Sequence, residues 1–442
     1  MSKNLNGVFS KFKSAYLQSM LIRILNALLT LGVAVLLARL LGPDEYGKYA
    51  ILLSLATILG IPFKAGLPRT MARDIAVSRT KNDEGTIRVI IKLGSQVFIL
   101  LIPLIILVSV GIWFIGFEVA GVTFGVLFAG VLAPILAADA NRMAVMQGLG
   151  SAIRSQVPDM LIRPLGTAVI VVALMLLVGT TSAEVGLIAY AASTLLGFLI
   201  GALMVRRELG KLPQKSPTES VSKTGFLVSV GTMSLLGAST TITGNVDMLL
   251  LNHFGAYDGA GHYKVAMAGL AVVVLGGNAV SAVAFTRLAE TVPTGDKKKI
   301  AAHSDQALKW SILFTGGASL LILLLGKPVI GLLFGAQYSD AWLILVVLSI
   351  GFTIAFMFGQ GPDIASLSGS QAPAAFCIVL GIATTIGISF ATINSLGIIA
   401  IALGSMIGTI TRYALVAVVI RLSIGVDITI FGLIFRKVTQ DK

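Results

Sequence analysis

Apolar runs of about 20 residues recur almost from one end of this sequence to the other, and they constrain the fold more than any other feature. The hydrocarbon core of a membrane is about 30 Å thick and takes about 20 helical residues to cross. Because the backbone finds no water there, each run is predicted to be an α-helix. Composition agrees, since 56% of the 442 residues are hydrophobic and only 12% are charged, about half the charged share of a soluble domain.

We therefore predict an all-α integral membrane fold with about twelve transmembrane helices. The first six are predicted at 16–38, 48–68, 89–115, 121–143, 161–179 and 185–205. The second six are predicted at 226–252, 263–286, 309–333, 341–360, 373–393 and 396–421. The first run continues past Arg23 to Ala38 without a small-residue cleavage site, which favours an uncleaved helix over a signal peptide.

The positive charges are concentrated on one side of this arrangement. Segments on the side of the N terminus hold 29 of the 33 lysines and arginines. The other side holds only Arg39, Lys48, Lys264 and Lys327. Positive charge accumulates on cytoplasmic loops. We therefore predict that the protein lies in the cytoplasmic (inner) membrane with both termini in the cytoplasm. The net charge of +13 then reflects a basic face against anionic lipid, and no nucleic-acid partner is expected.

Two pairs of similar segments indicate an internal repeat, because the members of each pair lie six predicted helices apart. The segment Leu37–Tyr49 resembles Leu251–Tyr263 at an offset of 214. The segment Gly186–Ala191 resembles Gly397–Ala402 at an offset of 211. An even number of helices per copy gives a parallel repeat related by an axis along the membrane normal, as in some secondary transporters. We predict two six-helix lobes related by a pseudo-twofold axis, 1–212 and 213–442.

Several motifs resemble those of the polysaccharide-transporter (O-antigen flippase) family. The run Ala38–Tyr49, ARLLGPDEYGKY, is similar to the family signature between helices 1 and 2, and Asp247–Tyr263 is similar to its counterpart in the second half. Gly66–Arg69 and Gln147–Gly150 also resemble the family. The resemblance covers nearly the whole chain.

The resemblance implies membership of the multidrug/oligosaccharidyl-lipid/polysaccharide (MOP) superfamily. It further implies two lobes around a central cavity that move polyprenyl-diphosphate-linked oligosaccharide, such as the repeat unit of lipopolysaccharide O-antigen, by alternating access. The related lipid II flippases have two further helices that this chain lacks, so a peptidoglycan precursor is a less expected cargo.

Ionisable residues inside predicted helices indicate where a substrate would bind, because such residues usually face an interior or a wet cavity. Arg23 lies on a polar stripe with Asn26, and helix 7 has a polar face that ends at Asn245 and Asp247. The predicted substrate-binding residues are Arg23, Asn26, Lys64, Arg69, Asn245, Asp247, Arg287 and Arg412.

Each of these residues also has a plainer interpretation, and the sequence leaves both open. In the plainer interpretation, the long side chain of Arg23 extends to the cytoplasmic headgroups, as membrane arginines often do. Lys64, Arg69 and Arg287 lie near predicted helix ends, where basic anchors are common. Asp247 is as well placed to pair with neighbouring polar groups as to bind a substrate.

The sequence offers little support for an enzymatic function. The three histidines lack metal-ligand spacing, and no phosphate-binding loop or nucleophile elbow is present. We expect a non-enzymatic protein without cofactor or metal. The leading prediction is a flippase for a lipid-linked oligosaccharide, with membrane lipids and glycan polymerase or export proteins as further partners. The alternatives are a small-molecule or drug antiporter of the same superfamily and a non-transporting scaffold of a glycan-assembly complex.

Overall fold

The computed structural model describes residues 2–116, 118–122, 124–213, 216 and 221–440, without the side chains of 2–21, 23, 235–236 and 437–440. Within these residues the chain is mostly helical and forms no β-strand. The prediction of an all-α membrane fold is confirmed.

Seventeen α-helices follow one another along the described chain. The first eight are α1 (Ser2–Leu59), α2 (Ile61–Lys64), α3 (Leu67–Thr80), α4 (Glu84–Phe114), α5 (Gly125–Gly148), α6 (Ala152–Val157), α7 (Arg163–Val178) and α8 (Ala183–Gly210). A π-helix, Pro158–Ile162, joins α6 to α7. The others are α9 (Lys223–Thr243), α10 (Val246–His253), α11 (Tyr257–Thr291), α12 (Lys297–Phe334), α13 (Ala341–Phe356), α14 (Gly361–Leu367), α15 (Gln371–Leu396), α16 (Ile399–Ile424) and α17 (Ile430–Gln440).

Ten described helices are long and apolar enough to cross a membrane, and the bent pair α13–α14 would be an eleventh span. The first of the ten, α1, contains two helices, because Gly42 has non-helical dihedral angles (φ 76°, ψ 171°). At 1.5 Å per residue the 58 residues of α1 measure about 87 Å, nearly three times the thickness of the hydrocarbon core. Counting the two parts of α1 separately accounts for the twelve predicted helices.

The spans extend further at their polar ends than hydropathy alone predicts. The predicted helix 161–179 corresponds to a span, Ala152–Val178, that begins nine residues earlier, and the predicted helix 309–333 lies within α12. Two shorter helices, α3 and α17, are not predicted at all. Helix α3 is amphipathic and buries Leu67, Met71 and Ile75, which share one face at a spacing of four residues.

The chain forms two compact units, Met1–Thr241 and Ile242–Lys442. The first unit includes most of α9 because this helix lies very close to the segment before α3. A Cβ atom on Gly66 would stand 2.1 Å from the Val230 carbonyl oxygen, and one on Gly237 would stand 2.4 Å from that of Ala65. The predicted boundary between six-helix lobes, at 212 and 213, stays a prediction.

Within each unit, the two segments that take part in the internal repeat lie against each other. In the first unit, a Cβ on Gly186 would stand 3.2 Å from the Tyr49 ring. In the second unit, a Cβ on Gly259 would stand 2.4 Å from Ile398. The repeated residues therefore form the contact between the start of a long helix, α8 in the first unit and α16 in the second, and an earlier helix.

A polar cap marks the start of α12. The Asp296 carboxylate accepts the backbone N–H of Lys299 at 3.1 Å, and this hydrogen bond lowers the pKa of Asp296. Capping of this kind satisfies one of the backbone donors that every helix N-terminus leaves unpaired.

Candidate functional site

Five charged residues lie near one another in the N-terminal unit. They are Lys64, Asp139, Arg142, Asp159 and Arg163. A charge at the centre of a membrane helix costs about 2.5–3.5 kcal/mol on insertion scales, so such residues mark pathways and binding sites. They form two ion pairs of different character, and Lys64 lies near them.

The first pair, Asp159 and Arg163, is built on the π-helix. Asp159 lies within Pro158–Ile162, and Arg163 is the first residue of α7. The Arg163 backbone N–H bonds to the Pro158 carbonyl, five residues back. The two side chains form an ion pair and remain 23% and 26% exposed, respectively. A π-helical turn inside an α-helix is frequently a functional site, and here it presents an accessible guanidinium.

This pair lies near the middle of a long helical span. The span Ala152–Val178 has 27 residues, and Arg163 is eleven residues from its start, or about 16 Å at 1.5 Å per residue. The hydrocarbon core is about 30 Å thick. The 27 residues measure about 40 Å, more than this core, and Arg163 lies near the middle of the helical span.

Aromatic side chains hold the Arg163 guanidinium in place. Its central carbon lies 5.5 Å from the centroid of the Tyr190 ring, within the range of a cation–π contact. Tyr190 in turn meets Tyr49 edge-on at 6.5 Å, and Tyr49 stacks on Tyr46 at 6.0 Å. Tyr46 and Tyr49 belong to the motif ARLLGPDEYGKY, so this motif supplies the aromatic side chains that pack against Tyr190.

Lys64 adds a further positive charge to the site. It is the last residue of α2, is partly buried, and lies within electrostatic range of Arg163, Asp159 and Asp139. It forms no ion pair with any residue that the structure describes. Lys64 and Arg163 together offer donors suited to an anion, because charge-assisted bonds from these side chains to phosphate are strong.

The second pair, Asp139 and Arg142 in α5, is fully enclosed. Arg142 Nε donates to Asp139 Oδ1 at 2.7 Å, and the two side chains are 3% and 6% exposed. Arg142 Nη2 also donates to the Ser155 carbonyl at 3.2 Å. A Cβ on Gly201 would stand 2.4 Å from Arg142 Cδ, so this glycine makes room for the arginine. The pair joins α5, α6 and α8 and is closed to a ligand.

A separate polar cluster lies in the C-terminal unit around Asp247. This buried carboxylate accepts the Tyr263 hydroxyl at 2.6 Å and the Ser405 hydroxyl at 3.1 Å. The break between α9 and α10 at Gly244 and Asn245 places Asp247 in the first turn of α10. Asn245 is the residue that precedes α10 and is partly buried.

Arg412 lies close to the same cluster. It borders a small cleft together with Thr243, Ser405 and Thr409, and its guanidinium lies 5.2 Å from the centroid of the Tyr413 ring. Ser405, Thr409 and Arg412 of α16 therefore face the same cleft. Within the described part of the chain, Arg412 forms no ion pair.

The other predicted site residues occupy varied places. The Arg23 side chain lies outside the described residues. Asn26 is partly buried and accepts the Thr30 hydroxyl at 3.3 Å. Arg69 is exposed in the first turn of α3. Arg287 is exposed on α11 and donates to Gln306 at 2.9 Å. Roles for these residues in substrate binding stay predictions.

Sequence reasoning missed Asp159 and Arg163, because their charges lower the local hydropathy and move the predicted start of the helix to residue 161. Asp159 was thereby assigned to a loop, and Arg163 was counted with the cytoplasmic charges. A usable signal was present, since aspartate and arginine four residues apart next to prolines, DMLIRP, are unusual beside an apolar run. An i, i+4 pair of opposite charges neutralises itself and can enter the membrane.

A model of the family described as "Polysaccharide biosynthesis protein" matches residues 15–292. This is more than half of the chain and includes every residue of the N-terminal site. The chain belongs to this family. No curated protein matches the sequence.

Solved structures show the same fold at low sequence identity. An inward-facing multidrug resistance MATE family transporter of the MOP superfamily matches with a TM-score of 0.74 and 15% identity, over 90% of this chain and 94% of that one. The lipid II flippase MurJ, in an inward closed conformation, matches with a TM-score of 0.69 and 15% identity, over 94% of this chain and 90% of that one.

A third match is a MOP superfamily transporter from Pyrococcus furiosus, described as having a binding pocket of reverse polarity, with a TM-score of 0.61 and 15% identity over 92% of this chain and 94% of that one. All three are transporters or flippases, and none is described as an enzyme. The family and the fold together identify this chain as a multi-pass membrane protein of transporter architecture.

Proposed function

We propose that this protein flips a polyprenyl-diphosphate-linked oligosaccharide across the cytoplasmic membrane, with both of its termini in the cytoplasm. The observation that carries the proposal is the partly exposed Asp159–Arg163 pair near the middle of a helical span, with Lys64 near it. A diphosphate is the most strongly charged part of such a substrate and needs cationic partners to cross the membrane core.

The ion pair gives Arg163 a resting partner when no substrate is present. An unpaired arginine within a membrane span would be costly, and pairing with Asp159 offsets part of that cost. A diphosphate carries more negative charge than one carboxylate and can accept a bidentate pair of hydrogen bonds from the guanidinium. Binding of substrate would then exchange Asp159 for phosphate at Arg163, with Lys64 taking up the remaining charge.

A drug antiporter fits this site less well. A cationic drug needs a carboxylate that is free to bind it. In the N-terminal unit, Asp139 and Asp159 are each paired with an arginine. The site has an excess of positive groups, which favours an anionic substrate.

The test is flipping by purified protein in liposomes. The substrate is the lipid-linked oligosaccharide extracted from cells that lack this gene, and its arrival in the outer leaflet is measured with a membrane-impermeant lectin. Arg163→Ala should slow flipping about tenfold or more, since charge-assisted hydrogen bonds contribute about 1.5–3 kcal/mol and 1.4 kcal/mol is a factor of ten. Arg163→Lys should keep part of the rate, because it keeps the charge without the planar fork.

Arg154→Ala is the matched control. Arg154 lies on α6 of the same span, but its side chain is 68% exposed and pairs at the surface with Glu208 at 3.4 Å. Flipping should be unchanged in this variant. Full activity in Arg163→Ala would remove the site from the mechanism. A folded wild-type protein that exports cationic dyes but flips no lipid would be an antiporter, and one that moves neither would be a scaffold.

A further inference from the structure

A groove in the C-terminal unit runs between α11 and α12, separate from the polar cluster around Asp247. Its volume is about 390 Å³. Three polar side chains stand at one end, Arg287, His303 and Gln306. The rest of the wall is apolar and includes Val280, Val283, Ala284, Ala307, Trp310 and Phe314.

The polar end lies near the ends of both helices. Arg287 is four residues before the end of α11 at Thr291, and His303 is six residues after the start of α12 at Lys297. Arg287 Nη1 donates to Gln306 Oε1 at 2.9 Å. A guanidinium has five N–H donors, so most of those on Arg287 remain for a ligand.

The apolar part extends from this end into the membrane. From Arg287 to Gly276, which lines the far end, is eleven residues of α11, or about 16 Å. At Gly276 the two helices close on each other, since a Cβ there would stand 2.7 Å from Phe314 Cβ. Val283, Trp310 and Phe314 are 50%, 47% and 49% exposed, so the groove is open along its length.

We propose that this groove binds an anionic phospholipid of the cytoplasmic leaflet, with its phosphate on Arg287 and one acyl chain between α11 and α12. A cation at headgroup depth above an apolar channel of about 16 Å matches the two parts of such a lipid. The described lining holds no carboxylate that would repel the phosphate. Its polar groups are confined to one end, which leaves no polar surface for an oligosaccharide. This inference is independent of the proposed flippase activity.

The experiment is native mass spectrometry of the full-length protein, released from nanodiscs that contain equal amounts of phosphatidylglycerol and phosphatidylcholine. Wild-type protein should keep one phosphatidylglycerol after mild delipidation. Arg287→Gln should reduce the retained phosphatidylglycerol about tenfold, by loss of a charge-assisted contact. Ala279→Phe should abolish retention of this lipid, because Ala279 lines the groove and is exposed, so the ring would fill the groove without entering the core.

Lys298→Gln is the control, because it removes a positive charge from an exposed position at the start of α12, outside the groove. It should retain phosphatidylglycerol like the wild type, and gel filtration and thermal unfolding should show that all variants are folded. Equal retention by the wild type, Ala279→Phe and Arg287→Gln would overturn the proposal. So would displacement of phosphatidylglycerol by an equimolar polyprenyl phosphate, which would assign the groove to the transported lipid. Flipping assays on the same preparations keep this result separate from the test at Arg163.

Discussion

At the scale of single residues, the enclosed Asp139–Arg142 pair and the accessible Asp159–Arg163 pair should respond differently to mutation. Arg142→Leu leaves the Asp139 carboxylate buried without its partner, and breaking one member of a buried pair costs about 3–5 kcal/mol. Replacing both residues with leucine removes the buried charges together and is often nearly neutral. In thermal unfolding in detergent, the single variant should unfold at a clearly lower temperature, and the double variant should recover most of the loss. A double variant as unstable as the single one would show that the contact of Arg142 with Ser155 carries the stability.

The same two pairs show how far the candidate site could be predicted from sequence. Asp247, Arg412 and their polar neighbours were predicted because they interrupt long apolar runs, where a single charge stands out. Asp159 and Arg163 stand at the edge of a run, and hydropathy cannot distinguish a loop charge from a charge that pairs inside the membrane. The pairing depends on a π-helical turn and on Tyr190 from another helix, which no local pattern predicts.

At the scale of elements, the contact of α9 with the segment before α3 depends on two glycines. Gly237→Ala would place a methyl group 2.4 Å from the Ala65 carbonyl oxygen, and crowding of this kind costs about 1–3 kcal/mol. Gly231 lies on the same helix with nothing within 4 Å of an added Cβ, so Gly231→Ala gains helix propensity of up to about 1 kcal/mol without a clash. Thermal unfolding should show a loss for the first variant and a small gain or no change for the second. Equal behaviour of the two would mean that α9 does not depend on close packing.

Predictability at this scale follows the strength of the apolar signal. The long spans were found because twenty apolar residues are hard to explain otherwise. Helices α3 and α17 were missed because they are amphipathic, at 14 and 11 residues, and lie among charges. Both helices lie in segments rich in lysine and arginine, which determine the predicted orientation of the chain. Such segments were interpreted as irregular loops, so these two helices were not predicted.

At the scale of the whole molecule, glycines with positive φ mark most of the turns between successive spans and suggest where the topology can be measured. Reporter fusions at such turns disturb no helix interior. Alkaline phosphatase, active outside the cytoplasm, should be active after Gly42, Gly116, Gly179, Gly255, Gly335 and Gly397. A fluorescent protein that matures only in the cytoplasm should fluoresce when it is fused after Asn82, Gly150, Pro213, Gly295 and Gly369. This alternation is expected because nearly all of the lysines and arginines lie on the second set of turns and termini.

The fusion after Gly42 is the most informative of these. The chain is helical on both sides of this glycine, and the two parts together would measure about 87 Å, too long to cross a core of about 30 Å once without leaving a long apolar segment in water. A return through the membrane at Gly42 resolves this, with Pro43 placed where a following helix would begin. Strong phosphatase activity after Gly42, with fluorescence after Asn82, would establish two crossings within α1. Fluorescence after both sites would leave no crossing between them. The even number of spans per half, and with it the parallel repeat, would then be wrong.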